Sequence, residues 1–146
     1  MMRCILVATD GSQSANRAVD AAAQFAMRFD AKLLIVNAID AGVLSSDELN
    51  SFRKVEGISL GEALASLSSQ ILMDAESQAR KHGLTNIVRQ SREGDAAQAV
   101  MEIVREKGAD AIVVGRRGRS QLVGLLLGSI SQKLVTHAPC MVVVVP

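Results

Sequence analysis

Two glycine-bearing turns in this 146-residue chain carry residue types that can hold a phosphorylated ligand. The later one runs Gly115-Arg116-Arg117-Gly118-Arg119-Ser120 and continues to Gly128-Ser129-Ile130-Ser131. Gly115, Gly118 and Gly128 would let backbone approach a ligand where a Cβ would block it. Gly128 stands directly before a helical pattern, and a helix N-terminus offers unpaired N–H groups and a positive dipole end to an anion. Ser129 and Ser131 add hydroxyl donors, while Arg116, Arg117 and Arg119 place three positive charges on a chain of net charge +1. Together these are the chemistry of a phosphate site. A simpler role is open to the same residues, with Ser129 capping the helix and Gln132 completing a capping box. Both can hold at once, because a cap leaves other N–H groups unpaired.

The earlier turn is Ala8-Thr9-Asp10-Gly11-Ser12. Asp10 could accept hydrogen bonds from a sugar hydroxyl or a base amine, or hold a metal. Equally, Asp10-Gly11-Ser12 reads as a turn that leads into the cap of a helix. Ala38 stands at the end of the second strand-like segment, where a small side chain leaves room for a base against the backbone. Other chemistry finds little support. His82 precedes Gly83 at a helix end, His137 lies near the end of the last helix, and neither has partners in sequence. Cys4 and Cys140 sit in apolar runs without the spacing of a zinc site or redox pair, so both read as buried structural thiols. No catalytic residue, and no tightly bound structural metal, is expected. H-E-x-x-H, G-x-S-x-G, G-x-G-x-x-G and the Walker pattern are absent.

Five short segments must position these turns. Cys4–Ala8, Leu33–Val36, Ala111–Val114 and Met141–Val145 are continuous apolar runs, as strands covered on both faces by helices are. Asn86–Gln90 is more polar and is expected at a sheet edge. Between them lie helical patterns. The first buries Ala15, Ala18, Val19, Ala22, Phe25, Ala26 and Phe29, and the second Leu60, Leu64, Leu67, Ile71, Ala75 and Ala79. A third opens with Asp95 and Gln98 in capping-box spacing, and a fourth begins near Ser129 and stops before Pro139. The alternation predicts a doubly wound α/β domain spanning residues 1–146 with a parallel sheet. Ile39–Gly57 does not fit the alternation, and its conformation is left open.

Composition narrows the function. Sixteen basic and fifteen acidic residues give no general electrostatic reason to bind nucleic acid or an anionic membrane. Trp and Tyr are absent and Phe numbers three, so no aromatic platform exists for stacking bases of a single strand. No apolar stretch approaches the roughly 18 residues of a membrane span. The chain reads as cytoplasmic.

The turns and the tail resemble those of the universal stress protein family. Ile5 to Ser12 is similar to that family's opening strand and turn. Gly115, Gly118, Gly128 and Ser129 fill the pattern G-x2-G-x9-G-[ST] of its ATP-binding branch, and Ser131 to Cys140 followed by four valines after Met141 is similar to its tail. The resemblance spans Arg3 to Pro146. It implies a Rossmann-like five-stranded parallel sheet in the order 3-2-1-4-5. It also implies an ATP site, with Mg2+ accompanying the nucleotide, in which Thr9, Asp10 and Ala38 surround the adenosine. Gly115, Arg117, Gly118, Gly128, Ser129 and Ser131 would then surround the ribose and phosphates. A homodimer through Met141–Val145 is implied as well, although Met141 stands where many members carry a second proline.

Three functions compete. The preferred one is an ATP-binding regulatory module of the stress response, with at most slow hydrolysis and an unidentified protein partner. A nucleotide-independent dimeric adaptor would lack the glycine pattern. A true ATP-using enzyme would need a base and a firm metal site, and Asp10 is the one nearby carboxylate. A phosphoacceptor receiver domain is set aside, because it needs clustered acidic residues after the first strand and a Lys ending the fifth.

Overall fold

Apolar runs covered on both sides become the strands of the computed structural model, which describes residues 1–39, 47, 59–117 and 127–146. The elements follow in the order β1 (Cys4–Ala8), α1 (Gln13–Phe29), β2 (Lys32–Ile39), α2 (Leu60–Arg80), β3 (Ile87–Glu93), α3 (Ala96–Lys107), β4 (Ala111–Gly115), α4 (Ser129–His137) and β5 (Met141–Val145). The strands pair in parallel as β3-β2-β1-β4-β5, a Rossmann-like α/β sheet in the expected order. Ala8 lies opposite Val36 on one side and Val114 on the other, so strand order reverses between β1 and β4. That crevice is where such sheets bind ligands.

The central strands β1, β2 and β4 each feed two cores. Ile5, Val7, Leu33, Ile35 and Val113 pack with the alanines of α1 and with Leu72, Ala75 and Ala79 of α2. Cys4, Leu6, Leu34, Val36 and Ile112 pack with Val100 and Ile103 of α3 and Leu134 of α4. Leu6, Val7, Leu33, Ile35, Ile103 and Leu134 are wholly buried, each contributing roughly 1.5–3 kcal/mol.

The helical stripes need correction in two places. Phe25 and Phe29, expected in the core, are 36% and 46% exposed. Periodicity gives direction, not depth. The alanines of α1 make the packed contact, Phe29 is its last residue, and Phe25 lines a shallow surface depression with Arg17, Asp20, Ala21 and Gln24. In α2, Leu60 is 43% exposed, and the buried positions are Ala63, Ser68, Ile71, Leu72, Ala75 and Ala79. Ser68 takes an inward place because its hydroxyl finds a buried partner on β2.

Caps set the helix starts. Ser12, Ser59 and Asp95 accept from the N–H groups of Ala15, Glu62 and Gln98. The capping box of α3 is half formed, since the Gln98 side chain donates to Glu102 instead of back to the cap. β3 is an edge strand, as expected, with Arg89 and Arg92 paired to Glu76, Glu102 and Glu106. Among the described residues no helix is long and apolar enough to cross a membrane.

Candidate functional site at the strand reversal

The turn after β1 is tied to itself and to β2. Thr9 N–H donates to the Val36 carbonyl at 2.9 Å, and Thr9 Oγ1 accepts from Gly11 N–H at 3.2 Å. Asp10 Oδ1 accepts from Ser12 N–H at 2.9 Å, and Ser12 Oγ then caps α1. Gly11 holds a φ of +81°, the left-handed value that makes glycine the natural choice there. The turn-and-cap role of Asp10-Gly11-Ser12 is thus present. It brings the Asp10 carboxylate to the carboxyl end of β1.

The end of β4 is built on one peptide. Arg116 N–H donates to the Val145 carbonyl at 2.7 Å, and the Arg116 carbonyl accepts from Gly128 N–H at 2.7 Å. Ser131 Oγ lies 3.0 Å from the carbonyls of both Arg116 and Gly128. The start of α4 is therefore fastened beside the carboxyl end of β4. Gly128 itself is the N-cap, in extended conformation and with no side chain capping the helix; Ser129 is its first residue and is exposed. This corrects the expectation that Ser129 caps. With no side-chain acceptor spent on them, the first N–H groups of α4 keep their attraction for an anion.

Two expected ligand groups have work inside the protein. The single proton of the Ser131 hydroxyl is directed to the Arg116 and Gly128 carbonyls, and the residue is 2% exposed. Gly115 is buried against α1, where an added Cβ would meet Ser14. Arg116 and Arg117 are partly buried, with the Arg117 N–H 3.4 Å from Ser14 Oγ. Among the described residues, Arg116 Nε is buried and has no hydrogen-bond partner. Gly118 lies outside the described residues, as does most of the Ile39–Gly57 segment.

Across the sheet, Ala38 is partly buried on β2 opposite Arg92 of β3. Beside it stands a polar group the sequence reading did not pick out. Asn37, 1% exposed, donates from Nδ2 to the Thr9 carbonyl at 2.8 Å and accepts from Ser68 Oγ at 2.6 Å. Ser68 Oγ also lies 2.7 Å from Ser91 Oγ. The signal was an Asn inside the run Leu-Leu-Ile-Val-Asn-Ala-Ile; Ser14 and Ser68 gave none.

The remaining titratable groups lie elsewhere. Burial raises the thiols of Cys4 and Cys140 above their ordinary range, which disfavours the nucleophilic thiolate. His82 Nε2 meets Asp20 Oδ1 at 2.9 Å between the end of α2 and α1. Among the described residues no group of three or more His, Cys, Asp or Glu could hold a metal ion.

The sequence pattern of the Universal stress protein family matches residues 1–146. A relative from Staphylococcus haemolyticus, named for that family, is 35% identical over 142 residues, 97% of this chain and 82% of its own length. A solved universal stress protein in complex with cAMP is 31% identical with a TM-score of 0.73, covering 99% of this chain and 97% of that one. A universal stress protein from Archaeoglobus fulgidus in complex with dAMP has a TM-score of 0.68 over 100% of this chain and 98% of its own, and at 17% identity it shares the fold.

Proposed function

The chain belongs to the universal stress protein family, and from that premise we propose that it is an ATP-binding regulatory module. The observation that carries the reading is the Arg116–Gly128 bond, which sets an uncapped helix N-terminus at the strand reversal. An anion there would meet N–H groups, the dipole of α4 and the guanidinium of Arg116, whose buried Nε has no acceptor among the described residues. Thr9, Asp10 and Ala38 stand on the β1 and β2 side for the adenosine. Arg117, Gly128 and Ser129 on the β4 side would meet the phosphates, and Gly118, outside the described residues, joins them on the sequence pattern alone. Ser131 and Gly115 support this site from behind: one fastens the loop, the other seats β4 on α1.

The nucleotides held by the solved relatives, cAMP and dAMP, share an adenine and a phosphate with ATP. The cluster of arginines favours the more highly charged ligand. One carboxylate with phosphate oxygens and water is an ordinary Mg2+ set, so Asp10 suits Mg2+ brought by ATP. That Mg2+ would neutralise phosphate charge. Binding, with little hydrolysis, is the expected outcome, since Asp10 alone among the described residues of the two turns carries a carboxylate to act as base. The protein would act in the cytoplasm as a homodimer through Met141–Val145, passing its nucleotide state to a protein partner.

The absence of Trp and Tyr makes the test direct. Pure protein should be almost transparent near 280 nm, so an adenine retained through purification dominates the ultraviolet spectrum. Acid release and chromatography then identify it. ATP near one per chain supports the reading, and ADP alone points to hydrolysis. If the protein is empty and titration with ATP, AMP and cAMP in the presence of magnesium shows no binding, the nucleotide reading is lost and the adaptor role takes its place.

A further inference from the structure

The ladder between β1 and β2 shows which backbone groups of β2 face which neighbour. Lys32 N–H donates to the Arg3 carbonyl and the Val36 carbonyl accepts from Thr9 N–H, so even-numbered residues of β2 bond toward β1. Leu33 N–H donates to the Asn86 carbonyl, so odd-numbered residues bond toward β3. By this alternation the next rung would run from Ala38 N–H to the Thr9 carbonyl. That carbonyl is taken instead by the Asn37 side chain, at 2.8 Å.

We propose that Asn37 is a positioning residue whose side-chain amide substitutes for the last β1–β2 rung and so turns the Ala38 N–H toward a nucleobase. The proposal rests on the nucleotide reading above. A planar ring with an acceptor at its edge is the ligand class that a backbone N–H on a strand end can select. The amide cannot flip without setting its oxygen against the Thr9 carbonyl, and the Ser68 hydroxyl at 2.6 Å holds the other end. Ser68 in turn meets Ser91, so the device is anchored on α2 and β3 as well as on the two strands it spans. A buried polar chain of this kind is retained for specificity more readily than for stability. The small side chain of Ala38 leaves the approach to its N–H open.

Amide hydrogen exchange at Ala38, read by nuclear magnetic resonance with Val36 as reference, tests this. In the ligand-free protein the Ala38 amide should exchange rapidly, and adenosine should slow it by about tenfold or more, the worth of one hydrogen bond. In Asn37→Leu the Ala38 amide should be slowed without ligand, because the Thr9 carbonyl is released to it, and adenosine should bind less tightly. Ser68→Ala, which spares the bond to Thr9, should keep the rapid exchange even if it lowers the melting temperature. Slow exchange at Ala38 in the ligand-free protein, or unchanged exchange in Asn37→Leu, overturns the rung substitution. Failure of the unaltered protein to bind adenosine overturns the base-recognition role and the nucleotide reading together, while the ligand-free comparison still decides the rung.

Discussion

Gly115 lies against Ser14 so closely that a Cβ on it would stand 2.8 Å from the Ser14 carbonyl carbon and 2.9 Å from the oxygen. The obstruction is helix backbone, which cannot rotate away as a side-chain tip can. The first glycine of the pattern is thus required by the packing of β4 on α1 before any ligand is considered. Gly115→Ala should cost about 1–3 kcal/mol through overpacking, a fall of roughly 3–9 °C in melting temperature. Calorimetry without nucleotide checks it. An unchanged melting temperature would show that α1 yields easily and would return this glycine to the ligand.

Gly128 behaves differently. Its φ of −69° is open to any residue, so Gly128→Val should lower stability by only about 1 kcal/mol, the cost of a poorer cap. The branched side chain would stand at the mouth of the α4 N-terminus and should abolish ATP binding. Arg117→Ala separates charge from shape. It should weaken ATP by about 10- to 100-fold, the worth of a charge-assisted hydrogen bond, and leave adenosine nearly unchanged. Calorimetric titration of both ligands decides; equal losses would remove Arg117 from the phosphates.

At the opposite end of the strands, Asp110 joins β1 to β4. Its carboxylate accepts from Arg3 N–H at 2.7 Å and Cys4 N–H at 3.0 Å, and its own N–H donates to the Cys4 carbonyl at 2.8 Å. The backbone donors of Arg3 and Cys4 hold the carboxyl below its ordinary range. A group whose folded pKa is lowered adds stability above the unfolded value of about 4 and loses it as pH falls through the folded one. Asp110→Asn should therefore be less stable at pH 7 and show a flatter acid limb between about pH 5 and 2. Asp20, lowered by its hydrogen bond to His82 against the cost of burial, remains in both proteins and cancels in the comparison. Urea midpoints across that range check it, and parallel acid limbs would deny Asp110 this role.

Strands were legible because a doubly covered strand leaves an uninterrupted apolar run, as at Cys4–Ala8 and Ala111–Val114, whereas their order in the sheet came only from the family resemblance. The edge position of β3 was legible from its polar residues. Depth was not: Phe25 and Phe29 share the phase of the buried alanines of α1 and still reach solvent. Direction was not legible either. Ser131 was recognised as a hydroxyl near a phosphate-type turn, but only coordinates show that its proton goes to the Arg116 and Gly128 carbonyls. Asn37 was visible as a break in an apolar run, and its partner Thr9, 28 residues away, was not. Long-range pairing of polar groups leaves no periodic trace.

The two sheet edges are unlike in a way that bears on assembly. β3 carries paired arginines, whereas β5 is Met141 and four valines, with Met141 56% exposed. The Val145 carbonyl accepts from Arg116 N–H, so Val145 and, two and four residues back, Val143 and Met141 bond toward β4. Val142 and Val144 therefore present their N–H and carbonyl groups outward. A proline at 144 would remove an outward donor while sparing the β4–β5 ladder, the placement that edge strands tolerate. If two copies pair through β5, Val144→Pro should sediment as a folded monomer that keeps its far-ultraviolet circular dichroism, while the unaltered protein sediments as a dimer. Val143→Pro, which removes a ladder bond instead, should lower stability by about 3 kcal/mol or more. A Val144→Pro variant that still sediments as a dimer would place the self-association on another surface, and the exposed Phe25 and Phe29 of α1 would be the next positions to change.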